Sequence, residues 1–126
     1  LHRDASQDFL RLVLGEALYD LEEYDEAIDE LEPLVDSEKH SAAAYLLTGR
    51  CHIVSSRDMD AMRCLRAAAM RRAVVGAAKI RIAALRLLVD LADRHGLTGT
   101  MPVYQQTLQS LLSDASTDPN AIPHQA

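Results

Sequence analysis

A chain of 126 residues with 48% apolar side chains is long enough to bury one helical core and too short for a second domain of ordinary size. No apolar run approaches the roughly eighteen residues that a membrane-spanning helix needs. The formal charge of −6 conceals two blocks of opposite sign, and the two cysteines, Cys51 and Cys64, with no secretory signal ahead of them, are expected to be reduced thiols of an intracellular protein.

Alanine and leucine supply much of the apolar share and tryptophan is absent, a composition that favours helices packed on helices. The apolar spacing predicts helices over 5–21, 25–32, 41–55, 58–71, 73–95 and 101–113. Pro33 falls near the end of the second and should stop or kink it. Between Asp58 and His95 the only strong breaker is Gly76, so the boundary near Met70 to Val74 is soft. Gly96 is the natural stop of the fifth helix, and Thr100 with Pro102 marks the start of the sixth. Residues 114–126, with Asp118-Pro119 and Ile122-Pro123, are expected to be a disordered tail, and the start at Leu1 without methionine suggests a piece of a longer protein.

A fixed period runs through the first half of the chain. Gly15 and Gly49 are thirty-four residues apart, as are Ala27 and Ala61, Leu31 and Leu65, and Leu34 and Ala68. Two antiparallel helices approach closely only where a side chain is reduced to hydrogen or methyl, and Gly15 against Ala27, repeated as Gly49 against Ala61, is expected to supply that contact. The unit over 9–37 closely resembles the tetratricopeptide repeat, with Leu14-Gly15 followed by Tyr24-Asp25-Glu26-Ala27 at the turn into its second helix. The unit over 42–72 keeps Tyr45, Gly49, Ala61 and Leu65, but has His52 where the family favours tyrosine. The proline that closes each repeat is replaced by Lys39 and Ala73.

The resemblance implies an all-α, TPR-like array of helical hairpins wound as a right-handed superhelix, with an end-capping helix and a final amphipathic helix. It places a single domain over 1–113, with repeats over approximately 8–41 and 42–75 and a divergent capping unit over 76–113. In that third unit the register would bury Lys79 and Arg86 beside Ile82 and Ala83, which is too costly without partners. Arg72, Lys79, Arg86, Asp90 and Asp93 are therefore expected to face water, opposite an apolar stripe of Ile80, Ala84, Leu87, Leu88 and Leu91. The sixth helix carries Val103, Tyr104, Thr107, Leu108, Leu111 and Leu112 on one face. It either folds back on its own domain or docks into a groove, its own or that of a second copy.

In the family the concave surface is lined by the first helix of each hairpin. Carried onto this chain, the partner-binding groove comprises Phe9, Leu12, Glu16 and Tyr19, then Ala43, Leu46, Arg50 and Ile53, then Ala77, Ile80, Ala84 and Leu87. Such an apolar trough marks a protein contact. The clamp by which chaperone-binding relatives hold a C-terminal carboxylate is missing, because Leu12, Glu16, Leu47 and Ala77 stand at its donor positions and only Arg81 agrees.

Eleven acidic and no basic residues lie between Glu16 and Glu38, whereas Ala61 to Val89 holds Arg63, Arg66, Arg71, Arg72, Lys79, Arg81 and Arg86 and no acid. These blocks are solvated faces, or they select a partner, or they join copies head to tail. The five histidines have no metal-ligand spacing, no phosphate-binding glycine loop occurs, and the plentiful carboxylates lie on a helix expected to be exposed. No catalytic residue, metal or cofactor is expected. The sequence thus reads as a protein-interaction module or scaffold within a larger intracellular multi-subunit protein, holding an apolar helix or extended peptide, or another copy of itself. RNA binding through the basic 61–89 segment is the alternative, disfavoured because no aromatic lies between Tyr45 and Tyr104 to stack on bases.

Overall fold

The computed structural model describes residues 5–70 and 77–117. Six α-helices occur among them: α1 (Ala5–Asp20), α2 (Tyr24–Leu31), α3 (Ser41–Val54), α4 (Asp58–Met70), α5 (Ala77–Arg94) and α6 (Met101–Thr117). They form three antiparallel hairpins, α1–α2, α3–α4 and α5–α6, stacked so that α2 meets α3 and α4 meets α5. The first helices of the hairpins, α1, α3 and α5, also touch in sequence and form one wall. The expected start of the fifth helix at Ala73 lies outside the described residues.

Local sequence accounts for most boundaries. Asp25 and Glu26 occupy the first turn of α2, and Asp58 and Asp60 that of α4, where carboxylates oppose the positive end of the helix dipole. Pro33 has no N–H to continue α2, so the chain tightens after Leu31 into a 3-10 turn over Glu32–Asp36. Three helices end in one device, in which two amides beyond the helix return to its last carbonyls. Glu23 N donates to Leu18 O at 2.8 Å, Arg57 N to His52 O at 2.8 Å and Leu97 N to Ala92 O at 2.8 Å. The residue before each is left-handed, with φ of 64° at Glu22, 61° at Ser56 and 66° at Gly96. Glu22 and Ser56 are again thirty-four apart, but Gly96 comes forty residues after Ser56, so the third hairpin leaves the register.

Inside the hairpins the glycines meet leucine. A methyl group at Gly15 would lie 2.5 Å from Leu31 Cδ2 and 2.8 Å from its Cγ, and one at Gly49 would lie 2.9 Å from both Leu65 Cδ2 and Cγ. The leucines are the nearest neighbours of the glycines, and at Gly49 the Ala61 carbonyl oxygen follows, 3.5 Å from the same methyl position. Ala27 and Ala61 are both fully buried, but the residue four positions later fills the space over the glycine. Leu31 and Leu34 then pack on Ala44 and Leu47 of the next hairpin, and Ala61, Met62, Leu65 and Ala68 join Ala84, Leu85, Leu88 and Leu91 of the third.

The last helix packs in cis. Met101, Tyr104, Leu108 and Leu111 of α6 lie against the core shared by α4 and α5, whereas Val103 and Leu112, expected on the same face, are exposed. The helix also continues to Thr117, past the expected limit at Ser113, and the rest of the tail, 118–126, lies outside the described residues. On α5 the charged stripe of Lys79, Arg86, Asp90 and Asp93 is exposed, opposite buried Ala84, Leu88 and Leu91. No helix among the described residues is long and apolar enough to cross a membrane.

Alanine favours helix over glycine by about 1 kcal/mol, so Gly15→Ala and Gly49→Ala would stabilise an isolated helix. Here the added methyl runs into a buried leucine branch, and urea denaturation should show each variant less stable by about 1–3 kcal/mol.

Candidate functional site

Where α1, α3 and α5 line up, their side chains enclose an open concavity of about 300 Å³ lined by Glu16, Tyr19, Asp20, Ala43, Leu46, Leu47, Arg50 and Ile80. Helix α1 supplies the acidic rim, because Glu16 and Asp20 stand one turn apart and both are exposed. Helix α3 supplies the floor, with Ala43 and Leu47 one turn apart and Leu46 and Arg50 one turn apart. Ile80 closes the far side from α5. No ion pair holds Glu16, Asp20 or Arg50 among the described residues.

Six of the residues expected in the groove, Glu16, Tyr19, Ala43, Leu46, Arg50 and Ile80, are therefore brought together. Asp20 and Leu47 were not expected there, although each lies four positions after an expected residue and helical periodicity alone points to them. The others are elsewhere. Phe9 sits over the ring of His40, with centroids 6.3 Å apart at the entrance to α3. Leu12 packs against the Leu31–Leu34 cluster, and Ile53 and Leu87 pack against the core of the second and third hairpins. Ala84 is wholly buried against α4 and lines no surface. The Ala77 side chain lies outside the described residues.

Polar contacts tie the hairpins together beside this wall. Arg11 Nη1 donates to Glu30 Oε1 at 3.1 Å within the first hairpin. Arg57 spans the first two, donating through Nη2 to Asp25 at 3.0 Å and through Nε to His52 Nδ1 at 2.9 Å. Burial and then the Arg57 charge lower the His52 pKa, so the ring stays neutral and accepts that hydrogen bond. Asp58 Oδ2 joins the second hairpin to the third, 2.7 Å from His95 Nε2 and 3.4 Å from Arg94 Nη1. Arg81 Nε donates to the Ala69 carbonyl at 2.7 Å, near the end of α4. The one residue matching a carboxylate clamp is thus engaged with backbone.

Comparison with protein-family models, with curated proteins and with solved structures finds no match. The architecture itself defines the class: an all-α stack of tightly packed helical hairpins of the helical-repeat kind. No group of histidine, cysteine and carboxylate side chains suited to a metal ion occurs among the described residues.

Cys51 and Cys64 are free and buried, and burial raises both thiol pKa values, that of Cys51 to about 11. The native state therefore holds its thiol protons where the unfolded chain begins to lose them, so stability should fall as pH rises from 9 toward 11. At neutral pH a disulfide reagent should leave both cysteines unmodified in the native protein and modify both in denaturant.

Proposed function

We propose that the protein is a tetratricopeptide-like interaction module whose concave wall holds an apolar polypeptide segment of another protein, as part of a larger intracellular assembly. What carries this reading is the concavity itself. It has an apolar floor of Ala43, Leu46, Leu47 and Ile80, and exposed charged groups at its rim that form no ion pair among the described residues. Its volume of about 300 Å³ suits two or three side chains of a bound segment. A basic residue in that segment would meet Glu16 and Asp20, and an acidic one Arg50. Binding rather than catalysis is proposed because these carboxylates stand at an open rim, without the enclosure that tunes an acid or base. The thirty-four-residue recurrence of the glycine, the leucine above it and the left-handed turn residue supports the family assignment.

The basic segment lends less support to RNA binding. Arg81 is committed to the Ala69 carbonyl, Arg63 pairs with Asp60 at 3.1 Å, and 61–89 contains no aromatic side chain.

Ala43→Gln should fill the groove without disturbing α3, and Arg50→Glu should reverse the one positive charge among its lining residues. Affinity purification with each variant beside wild type should lose the same partner from both, with circular dichroism unchanged. Recovery of an identical set of proteins by all three would overturn the groove. Retention of a single-stranded RNA oligonucleotide at low salt, lost in Arg66→Glu, would favour the alternative instead. Ile53→Asp is unsuited to this test, because Ile53 packs on the core and its replacement should cost about 2–5 kcal/mol of stability in urea.

A further inference from the structure

The back of α1 carries an apolar seam that no helix among the described residues covers. Leu10, Val13, Leu14 and Ala17 are exposed along it, and Leu21 extends it, with Leu10 62% and Leu21 71% accessible. The positions 10, 14, 17 and 21 follow the four-three-four spacing of a helix-pairing seam. Thirty-four residues later, Leu10, Val13 and Ala17 correspond to Ala44, Leu47 and Cys51, all buried, two of them beneath Leu31 and Leu34 of the preceding hairpin. Part of the seam thus occupies positions that, one repeat later, form an interface between hairpins, whereas Leu14 and Leu21 correspond to half-buried Thr48 and Ser55.

A second stripe of the same length lies on the outer face of α4. Met59, Arg63, Arg66 and Met70 repeat the four-three-four spacing, all are exposed, and the end methionines are 67% and 78% accessible. Both stripes span eleven helical steps, about 16 Å. Their chemistry is complementary. Leucine and alanine face methionine and the aliphatic stems of arginine, while the guanidinium groups can reach acids bordering the seam. Asp20 borders it, Glu16 lies one turn earlier, and both are exposed. On the α4 side, Arg63 has only its exposed contact with Asp60 three residues away, and Arg66 has no ion pair among the described residues.

We propose that the Leu10–Leu21 seam of one chain docks on the Met59–Met70 stripe of a second copy, head to tail. This contact shares Glu16 and Asp20 with the rim of the concave groove but does not rest on the groove reading. Because the two surfaces differ, each chain keeps one free face and the association does not close at a dimer. A two-fold pairing of one seam with its own copy would instead set Glu16 and Asp20 against the same acids.

Sedimentation equilibrium of the 126-residue chain tests the proposal with Leu14→Glu, which spoils the seam, and with the double variant Arg63→Glu/Arg66→Glu, which spoils the stripe. The wild-type mass should climb with concentration without levelling at a dimer and should fall in high salt. Each variant should associate at least about tenfold more weakly, and an equal mixture should form a species of twice the monomer mass, because each contributes one intact face. Leu10→Gln, a milder change at an exposed site, should weaken association in the same direction. Ala43→Gln should associate like wild type even if it loses its groove partner. A monomeric wild type would overturn the proposal. So would an arginine variant whose mass climbs with concentration as that of wild type does, or a mixture that stays monomeric while both variants retain native circular dichroism.

Discussion

Leucine seated on glycine is the contact from which the molecule is built. Leu31 lies over Gly15 and Leu65 over Gly49 so closely that neither glycine could carry a methyl group without something shifting. Packing at that distance draws the two helices of each hairpin together and leaves the leucine wholly out of water, a transfer of about 2 kcal/mol for each side chain. The closed hairpin then presents a second leucine, Leu34, to the next unit, or the small Ala68 at the equivalent place. The order of the stack follows from these contacts, since each hairpin is completed by its neighbours rather than by a common centre.

Electrostatics acts on this frame without holding it together. The ion pairs that bridge hairpins, Arg57 with Asp25 and Asp58 with Arg94, are at or near the surface, where such pairs are worth little. Their effect is on alignment. Asp58 at the start of α4 receives the end of α5, and Arg57 touches both His52 and Asp25, so each junction has a polar tie at the turn between its helices. The larger division into an acidic first unit and a basic middle is left for solvent or for other molecules.

Much of this was legible in the sequence because it depends on period. The apolar spacing placed the helices to within a few residues, the thirty-four-residue recurrence identified the glycines, and Pro33 marked the end of α2. The partner of the glycine was not legible as spacing. A helical side chain leans toward the N-terminus of its own helix, so Leu31 reaches back over the ground that Ala27 was expected to hold. The groove was legible at Glu16, Tyr19, Ala43, Leu46 and Arg50. It failed at its two ends and also within the repeats, where Leu12 and Ile53, the register mates of Leu46 and Tyr19, pack on the cores instead. Phe9 lies beside the ring of His40 instead, a tilted contact between residues thirty-one apart that no local pattern announces. Ala84 disappears into the core because the third hairpin departs from the register of the others. The outward face of α6 was misjudged for a related reason. Its apolar residues cover more than one side, and only packing against α5 selects Met101, Tyr104, Leu108 and Leu111.

Measured against Glu22 and Ser56, the turn at Gly96 comes six residues late in sequence. Yet Asp58, just after the second turn, meets His95, just before the third, at 2.7 Å, so the turns stay level along their rim.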